Sequence, residues 1–202
     1  MMVKIALLVS GRGSNLQAII DSIEKGYIKN AVVNVVISNK ADAYALERAK
    51  KHGISAVFLD PKGLDKAEYD RAILKVLREY DTGLLLLAGY FRILGTEIIE
   101  AYKQKILNIH PSLLPAFKGL HAQKQAFEYG VKVAGCTVHF VDEGLDSGPI
   151  IIQKCVPVLS GDTEETLTDR ILEQEHIIYP EAVRLFVEGK LKVEGRNVIT
   201  LD

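Results

Sequence analysis

Cysteine is scarce in this chain. There are two, Cys136 and Cys155, with no C-x-x-C pair. That usage argues against a disulfide framework and predicts two buried free thiols in a reducing cytoplasm. Both lie in apolar stretches, which argues against either as a nucleophile. Charge of one sign is lacking too: 25 basic against 26 acidic residues leave a net charge of −1. A chain so balanced is not an electrostatically driven nucleic-acid binder. No apolar run approaches the roughly 18 residues of a membrane span. Met1-Met2-Val3-Lys4-Ile5 runs straight into a strand-like segment without signal-peptide architecture, so a cytoplasmic protein is expected. There is no internal repeat and no low-complexity segment.

Common catalytic signatures are also missing. The loop Ser10-Gly11-Arg12-Gly13-Ser14-Asn15 offers G-x-G, but Leu16 stands where a dinucleotide fingerprint needs its third glycine. The next strand ends in Ser38-Asn39-Lys40 rather than an acid, and Gly-Lys-Ser/Thr is absent. There is no G-x-S-x-G. The five histidines, His52, His110, His121, His139 and His176, include no i, i+4 pair and no H-E-x-x-H, so no metal is expected.

What remains is an ordinary globular mixture over 202 residues, 48% hydrophobic and 25% charged, enough for one large domain or two small ones. Val3–Val9 is a short continuous apolar run and reads as a buried parallel strand. A helix follows its glycine loop and ends near Gly26. Strand, glycine loop and helix is the layout that holds a phosphate on loop N–H groups and the positive helix end. A plain turn capped by Ser14 or Asn15 fits the local pattern equally well. The alternation continues with strands over 32–37, 54–59 and 83–88 and helices over 42–52, 64–79 and 96–102. Such alternation predicts a mostly parallel twisted sheet with right-handed crossovers, Rossmann-like in the N-terminal half. Lys66 and Arg71 read as a solvated helix face, and Arg92 as either a surface charge or a ligand-orienting cation.

After Pro115 the pattern changes. A helix over 123–129 precedes strands over 136–141 and 150–158, expected to pair antiparallel around a loop rich in acids, glycine and proline. The last long helix is expected to start with Asp162 as N-cap and Glu165 completing a capping box, and to break or kink at Pro180. A hairpin around residues 194–197 would close the chain. Between the two patterns lies Ile106-Leu107-Asn108-Ile109-His110-Pro111. Side chains alternate along a strand, so Asn108 and His110 share a face where the strand stops, the place where open α/β sheets bind ligands. Local hydrogen bonding in a turn is the plainer alternative.

Taken together the runs resemble a family, the folate-dependent phosphoribosylglycinamide formyltransferases. The matching stretches are Ser10-Gly11-Arg12-Gly13-Ser14-Asn15-Leu16-Gln17-Ala18-Ile19, Ser38-Asn39-Lys40-Ala41-Asp42-Ala43, Leu87-Ala88-Gly89-Tyr90-Phe91-Arg92-Ile93-Leu94, Leu107-Asn108-Ile109-His110-Pro111-Ser112-Leu113-Leu114-Pro115, and Val138-His139-Phe140-Val141 through Asp146-Ser147-Gly148-Pro149. They occur in order over nearly the whole chain. The resemblance implies one α/β formyltransferase domain over 1–202, with a phosphate-type half (1–105) and a catalytic and folate-binding half (106–202). It implies a catalytic trio of Asn108, His110 and Asp146, and a substrate site of Gly13, Ser14, Asn15 and Glu175. It implies folate walls from Phe91, Arg92, Ile93 and Leu94 and from Asp142, Glu143, Gly144, Leu145 and Asp146, with Asn108 and Lys66 adding contacts. The co-substrate would be 10-formyltetrahydrofolate, with small-molecule partners only, no metal, nucleic acid or membrane, and a monomer or homodimer in solution.

The residue types suit formyl transfer in de novo purine biosynthesis. An amine attacks a formyl carbon, and the tetrahedral oxyanion needs donors and a proton carrier. Asn108 and His110 can donate, and Asp146 can orient His110 or pass a proton through water. Among neighbouring families, methionyl-tRNA formyltransferases add an RNA-binding domain and formyltetrahydrofolate deformylases an N-terminal regulatory domain. A deformylase-like hydrolase is the alternative function, and a non-enzymatic sugar-phosphate or folate-binding module is the alternative from another class.

Overall fold

The structure is a computed structural model and describes residues 2–201. The chain divides into two compact units, residues 1–108 and 109–202.

The first unit alternates strand and helix: β1 (Val3–Val9), α1 (Ser14–Glu24), β2 (Ala31–Ser38), α2 (Tyr44–Lys51), β3 (Ser55–Phe58), α3 (Lys66–Glu79), β4 (Leu84–Leu87) and α4 (Thr96–Ala101). β5 (Ile106–His110) then carries the chain across the boundary. β1 pairs in parallel with β2 and β4, β2 with β3, and β4 with β5, giving the order β3-β2-β1-β4-β5. The continuous apolar runs arise because both sheet faces are covered: Ile5, Ala6, Leu7 and Leu8 and Leu84, Leu85 and Leu86 are fully buried. The chain winds from β1 to β3 on one side and then crosses to β4 and β5 on the other. The ends of β1 and β4 therefore flank a topological switch point, where such sheets open a crevice. Asn34, on β2, is skipped by the register between Ile5 and Ala6, and its amide donates to the Tyr80 carbonyl at the end of α3.

The second unit comprises α5 (Ala122–Tyr129), β6 (Val133–Phe140), β7 (Ile150–Pro157), α6 (Glu164–Val187), β8 (Leu191–Glu194) and β9 (Asn197–Thr200). β6 and β7 pair antiparallel, as do β8 and β9. The fold is therefore α/β, mostly parallel, with antiparallel strands in the C-terminal half. α6 buries Leu167, Ile171, Tyr179, Ala182 and Val183, all without exposed surface.

Three expectations fail in this unit. Of the break or kink expected at Pro180, the break does not occur: Pro180 lies inside one uninterrupted α6. A mid-helix proline forfeits a backbone hydrogen bond, but the buried neighbours Ile178, Tyr179, Ala182 and Val183 hold the helix on its far side. The N-cap is Thr163, not Asp162, and the box partner is Thr166, not Glu165: Thr163 Oγ1 accepts from Thr166 N–H, and Thr166 Oγ1 accepts from Thr163 N–H. Asp162 is engaged elsewhere, taking both Arg170 amino groups at 2.7 Å and the Leu159 N–H at 2.7 Å. Finally, Cys136 is buried as expected but Cys155 is exposed, because the middle of β7, from Gln153 to Cys155, faces outward. Burial, with the Glu175 charge second, pushes the Cys136 thiol up to about 12.

Candidate active site

In the first unit the candidate residues begin where β1 ends. Gly13 adopts a left-handed φ of 72° and caps α1 without a side chain. A Cβ there would sit 2.6 Å from the Ala45 Cβ, so only glycine admits α2 this close. α2 clamps the loop in return: Ala45 N–H donates to the Gly11 carbonyl at 3.1 Å, and Arg48 Nε to the Arg12 carbonyl at 2.9 Å. Ser14 and Asn15 form the first turn of α1, which carries no side-chain cap and no acid. An uncapped helix start with a positive macrodipole end suits an anion.

β4 ends in the loop that carries Phe91, Arg92, Ile93 and Leu94. Phe91 and Ile93 are 61% and 62% exposed, while Leu94 is buried. The Arg92 guanidinium lies 4.6 Å above the Tyr69 ring, so it is neither a free surface charge nor an isolated cation. Tyr69 donates its hydroxyl to the Leu59 carbonyl at 3.0 Å, and burial raises both the Tyr69 and Tyr90 phenols. Lys66 reaches this loop: its ammonium donates to the Leu94 carbonyl at 3.3 Å. Asp70 fills the space that a side chain on Gly95 would take and accepts the Gly95 N–H. Burial raises this carboxyl, against the opposing pull of Lys66 and of that N–H.

In the second unit His110 and Asp146 meet. His110 Nδ1 stands 3.4 Å from Asp146 Oδ2, with side chains 6% and 13% exposed. The other ring nitrogen, Nε2, donates to the Phe117 carbonyl at 2.9 Å. Asp146 Oδ2 also accepts the Gly119 N–H at 2.8 Å, and Asp146 itself has a left-handed φ of 45°. His139 Nε2 lies 3.9 Å from Asp146 Oδ1. Burial pushes the His139 imidazole below its ordinary value, against the pull of the Phe140 carbonyl bond and of Asp146. Asp142 organises its own turn, accepting Gly144 N–H at 3.2 Å and Ser147 Oγ–H at 2.6 Å. Glu143, Gly144 and Leu145 are exposed, and a Cβ on Gly148 would strike the Phe140 carbonyl. Glu175 is buried on α6, close enough to influence Cys136. Asn108 lies two residues before His110 on β5, opposite Leu87 of β4 in the register.

The structure thus joins His110 with Asp146, and Lys66 with Leu94. Residue reasoning missed Gly119, Phe117 and His139 as partners of the pair. The alternation of β6 offered a signal for His139, a polar residue in an otherwise buried strand. Gly119 and Phe117 act through backbone atoms, which residue type does not reveal. Behind this loop an apolar hollow of about 470 Å³ is lined by Leu113, Phe117, Tyr129 and Val133. Its hydroxyl neighbour Ser112 is committed to the Ala116 carbonyl.

Residues 3–183 match the formyl transferase family. The phosphoribosylglycinamide formyltransferase of Escherichia coli (strain K12) is 46% identical over 199 residues, 98% of this chain and 93% of that protein. The chain belongs to the phosphoribosylglycinamide formyltransferase family. A crystal structure of glycinamide ribonucleotide transformylase 1 from Symbiobacterium toebii superposes with a TM-score of 0.97 at 55% identity, covering 100% of this formyltransferase and 95% of that chain. A formyltetrahydrofolate deformylase from Pseudomonas syringae pv. tomato gives a TM-score of 0.93 at 25% identity, covering 100% of this chain and 67% of the other. Membership of this family makes the chain a formyltransferase, a one-carbon transferase. Among the described residues no helix is long and apolar enough to cross a membrane, and no three His, Cys, Asp or Glu gather as metal ligands.

Proposed function

We propose that the chain transfers the formyl group of 10-formyltetrahydrofolate to the amine of 5'-phosphoribosylglycinamide, giving phosphoribosyl-N-formylglycinamide and tetrahydrofolate in IMP synthesis. The observation that carries the chemistry is the 3.4 Å approach of His110 Nδ1 to Asp146 Oδ2. The amine nitrogen attacks the formyl carbon, and the carbonyl oxygen becomes an oxyanion. Asn108 donates its amide N–H to that oxygen, and His110 supplies a second donor once its Nε2–H leaves the Phe117 carbonyl. The bond from carbon to the folate nitrogen then breaks as a proton moves from the attacking to the leaving nitrogen. Asp146 orients His110 and passes that proton, directly or through water. Both His110 nitrogens face oxygens, Asp146 on one side and the Phe117 carbonyl on the other, which fixes the orientation of the ring.

In this reading Gly13, Ser14 and Asn15 receive the substrate phosphate, supported by the uncapped, acid-free start of α1. Glu175 contacts the same substrate. Phe91, Arg92, Ile93 and Leu94 with Asp142, Glu143, Gly144, Leu145 and Asp146 wall the folate, and Asn108 and Lys66 add contacts. Binding both reactants replaces a bimolecular encounter by an oriented one. No metal takes part, and the protein works in the cytoplasm as one domain, a monomer or homodimer, on small molecules alone and without nucleic acid or membrane. The Rossmann-like half supplies the phosphate end.

The test is formyl transfer to phosphoribosylglycinamide measured beside bare hydrolysis of 10-formyltetrahydrofolate. Transfer that depends on the amine substrate supports the reading. Hydrolysis running as fast without it replaces the reading with a deformylase, the function of the 25% identical relative.

A further inference from the structure

The end of β1 holds a buried hydroxyl to which neither the phosphate cradle nor the folate walls lay claim. Ser10 is 2% exposed. Its Oγ donates to Asn39 Oδ1 at 2.6 Å and accepts the Phe91 N–H at 3.1 Å. Its own N–H donates to the Gly89 carbonyl at 2.9 Å. One side chain thus ties together the loops after β1, β2 and β4, across the switch point of the sheet.

The tie matters because of what the loop after β4 lacks. Phe91 and Ile93 point outward, so side-chain packing fixes the loop only through buried Leu94 and the stacking of Arg92 on Tyr69. Four polar anchors hold it as well: Ser10 Oγ on Phe91 N–H, Ser10 N–H on the Gly89 carbonyl, Lys66 on the Leu94 carbonyl, and Asp70 on Gly95 N–H. Lys66 and Asp70 both stand on α3. Only Ser10 is continuous with the loop that leads through Gly11 and Arg12 to Gly13. The geometry points to Ser10 as a positioning residue that couples the two substrates: an anion held at residues 13–15 orders the loop, fixes the Ser10 hydroxyl, and through Phe91 N–H sets the folate wall. The inference rests on the proposed function. It adds that one substrate tightens the other, and names the atom that transmits the effect.

Coupling is reciprocal and read as a ratio of affinities. Tetrahydrofolate and phosphoribosylglycinamide form a non-reacting pair, because no formyl group is present. Titration calorimetry of tetrahydrofolate with and without saturating phosphoribosylglycinamide should give a tightening of about 3- to 10-fold in the unaltered chain, the scale of one buried hydrogen bond. Ser10→Ala should reduce that ratio to within about twofold of unity. Asp70→Ala loosens the same wall from α3, so it should weaken tetrahydrofolate yet keep the ratio, which separates coupling from general slackening. Asn39→Ala, which frees the Ser10 hydroxyl without touching the Phe91 bond, should lower the ratio part-way and serves if Ser10→Ala does not fold. An unaltered chain whose ratio is unity overturns the inference, as does a ratio unchanged in Ser10→Ala or, where that variant does not fold, in Asn39→Ala. If formyl transfer is intact in those cases, the proposed function stands without it. An unaltered chain that binds no tetrahydrofolate sinks both.

Discussion

The two proposed folate walls are built on opposite plans. Residues 91–94 hang from groups far away in the chain: Ser10, Lys66 and Asp70. Residues 142–146 hold themselves, with Asp142 closing a local turn on Gly144 and Ser147. Only at its far end does the second wall reach out, through Asp146 to His110 and the Gly119 N–H. A wall held from outside can relay a signal, whereas a self-closed turn can deliver one carboxylate to a fixed place. Under the proposed function the first wall should govern affinity and the second should govern turnover.

The largest effects should come from the chemical end of the second wall. His110→Ala and Asp146→Ala should each lower kcat by about 10²- to 10⁴-fold, with folate Kd changed only a few-fold. Phe91→Ala should do the reverse, raising folate KM with kcat nearly intact. A Phe91 variant that loses turnover instead would dissolve the contrast between the walls. Next comes stability. Gly148→Ala drives a Cβ into the rigid Phe140 backbone, whereas Gly95→Ala meets only the carboxylate end of Asp70. Gly148→Ala should cost about 2–4 kcal/mol in chemical denaturation and Gly95→Ala clearly less. Equal costs would mean that Asp70 cannot yield and that the first wall is as stiff as the second.

A smaller effect is expected from Asp142→Ala, which removes two bonds of the local turn and should cost about 1–2 kcal/mol. Its KM for folate should rise without change at the phosphate loop. The smallest concerns acid. Burial keeps the His139 value below the ordinary 6.5, so between the two values the unfolded chain binds more protons than the folded one. Stability from this residue is complete above about pH 6.5 and is lost as pH falls toward the lowered value. His139→Gln should flatten the decline in Tm between pH 7.5 and 5.5. An unchanged slope would remove His139 from the acid response around Asp146.

Much of this was legible in the sequence wherever one periodicity ruled. Val3–Val9 and Ile106–His110 fall where the apolar runs and the following glycine or proline put them. The glycine loop, the loop after β4 and the acid-rich turn all lie at strand ends. Choices among chemically similar neighbours were not legible. Asp162 and Thr163 are both good caps, and the decision came from Arg170, which draws Asp162 away. Pro180 looked like a break because the packing that outweighs it belongs to tertiary structure. Ser10, Phe117 and Gly119 were invisible as partners because they work through a hydroxyl or backbone atoms that residue patterns do not rank.

The close approach of Gly13 to Ala45 has a consequence for how the chain can change. Two positions in different helices' approaches occupy one volume, since a Cβ at 13 would overlap the one at 45. In sequence space they behave as a single coordinate. A larger residue at 45 is blocked while the loop keeps its shape, and no smaller residue at 13 exists to make room. Variation of the loop after β1 is thereby steered away from its backbone and onto the outward side chains around it, Arg12 first among them.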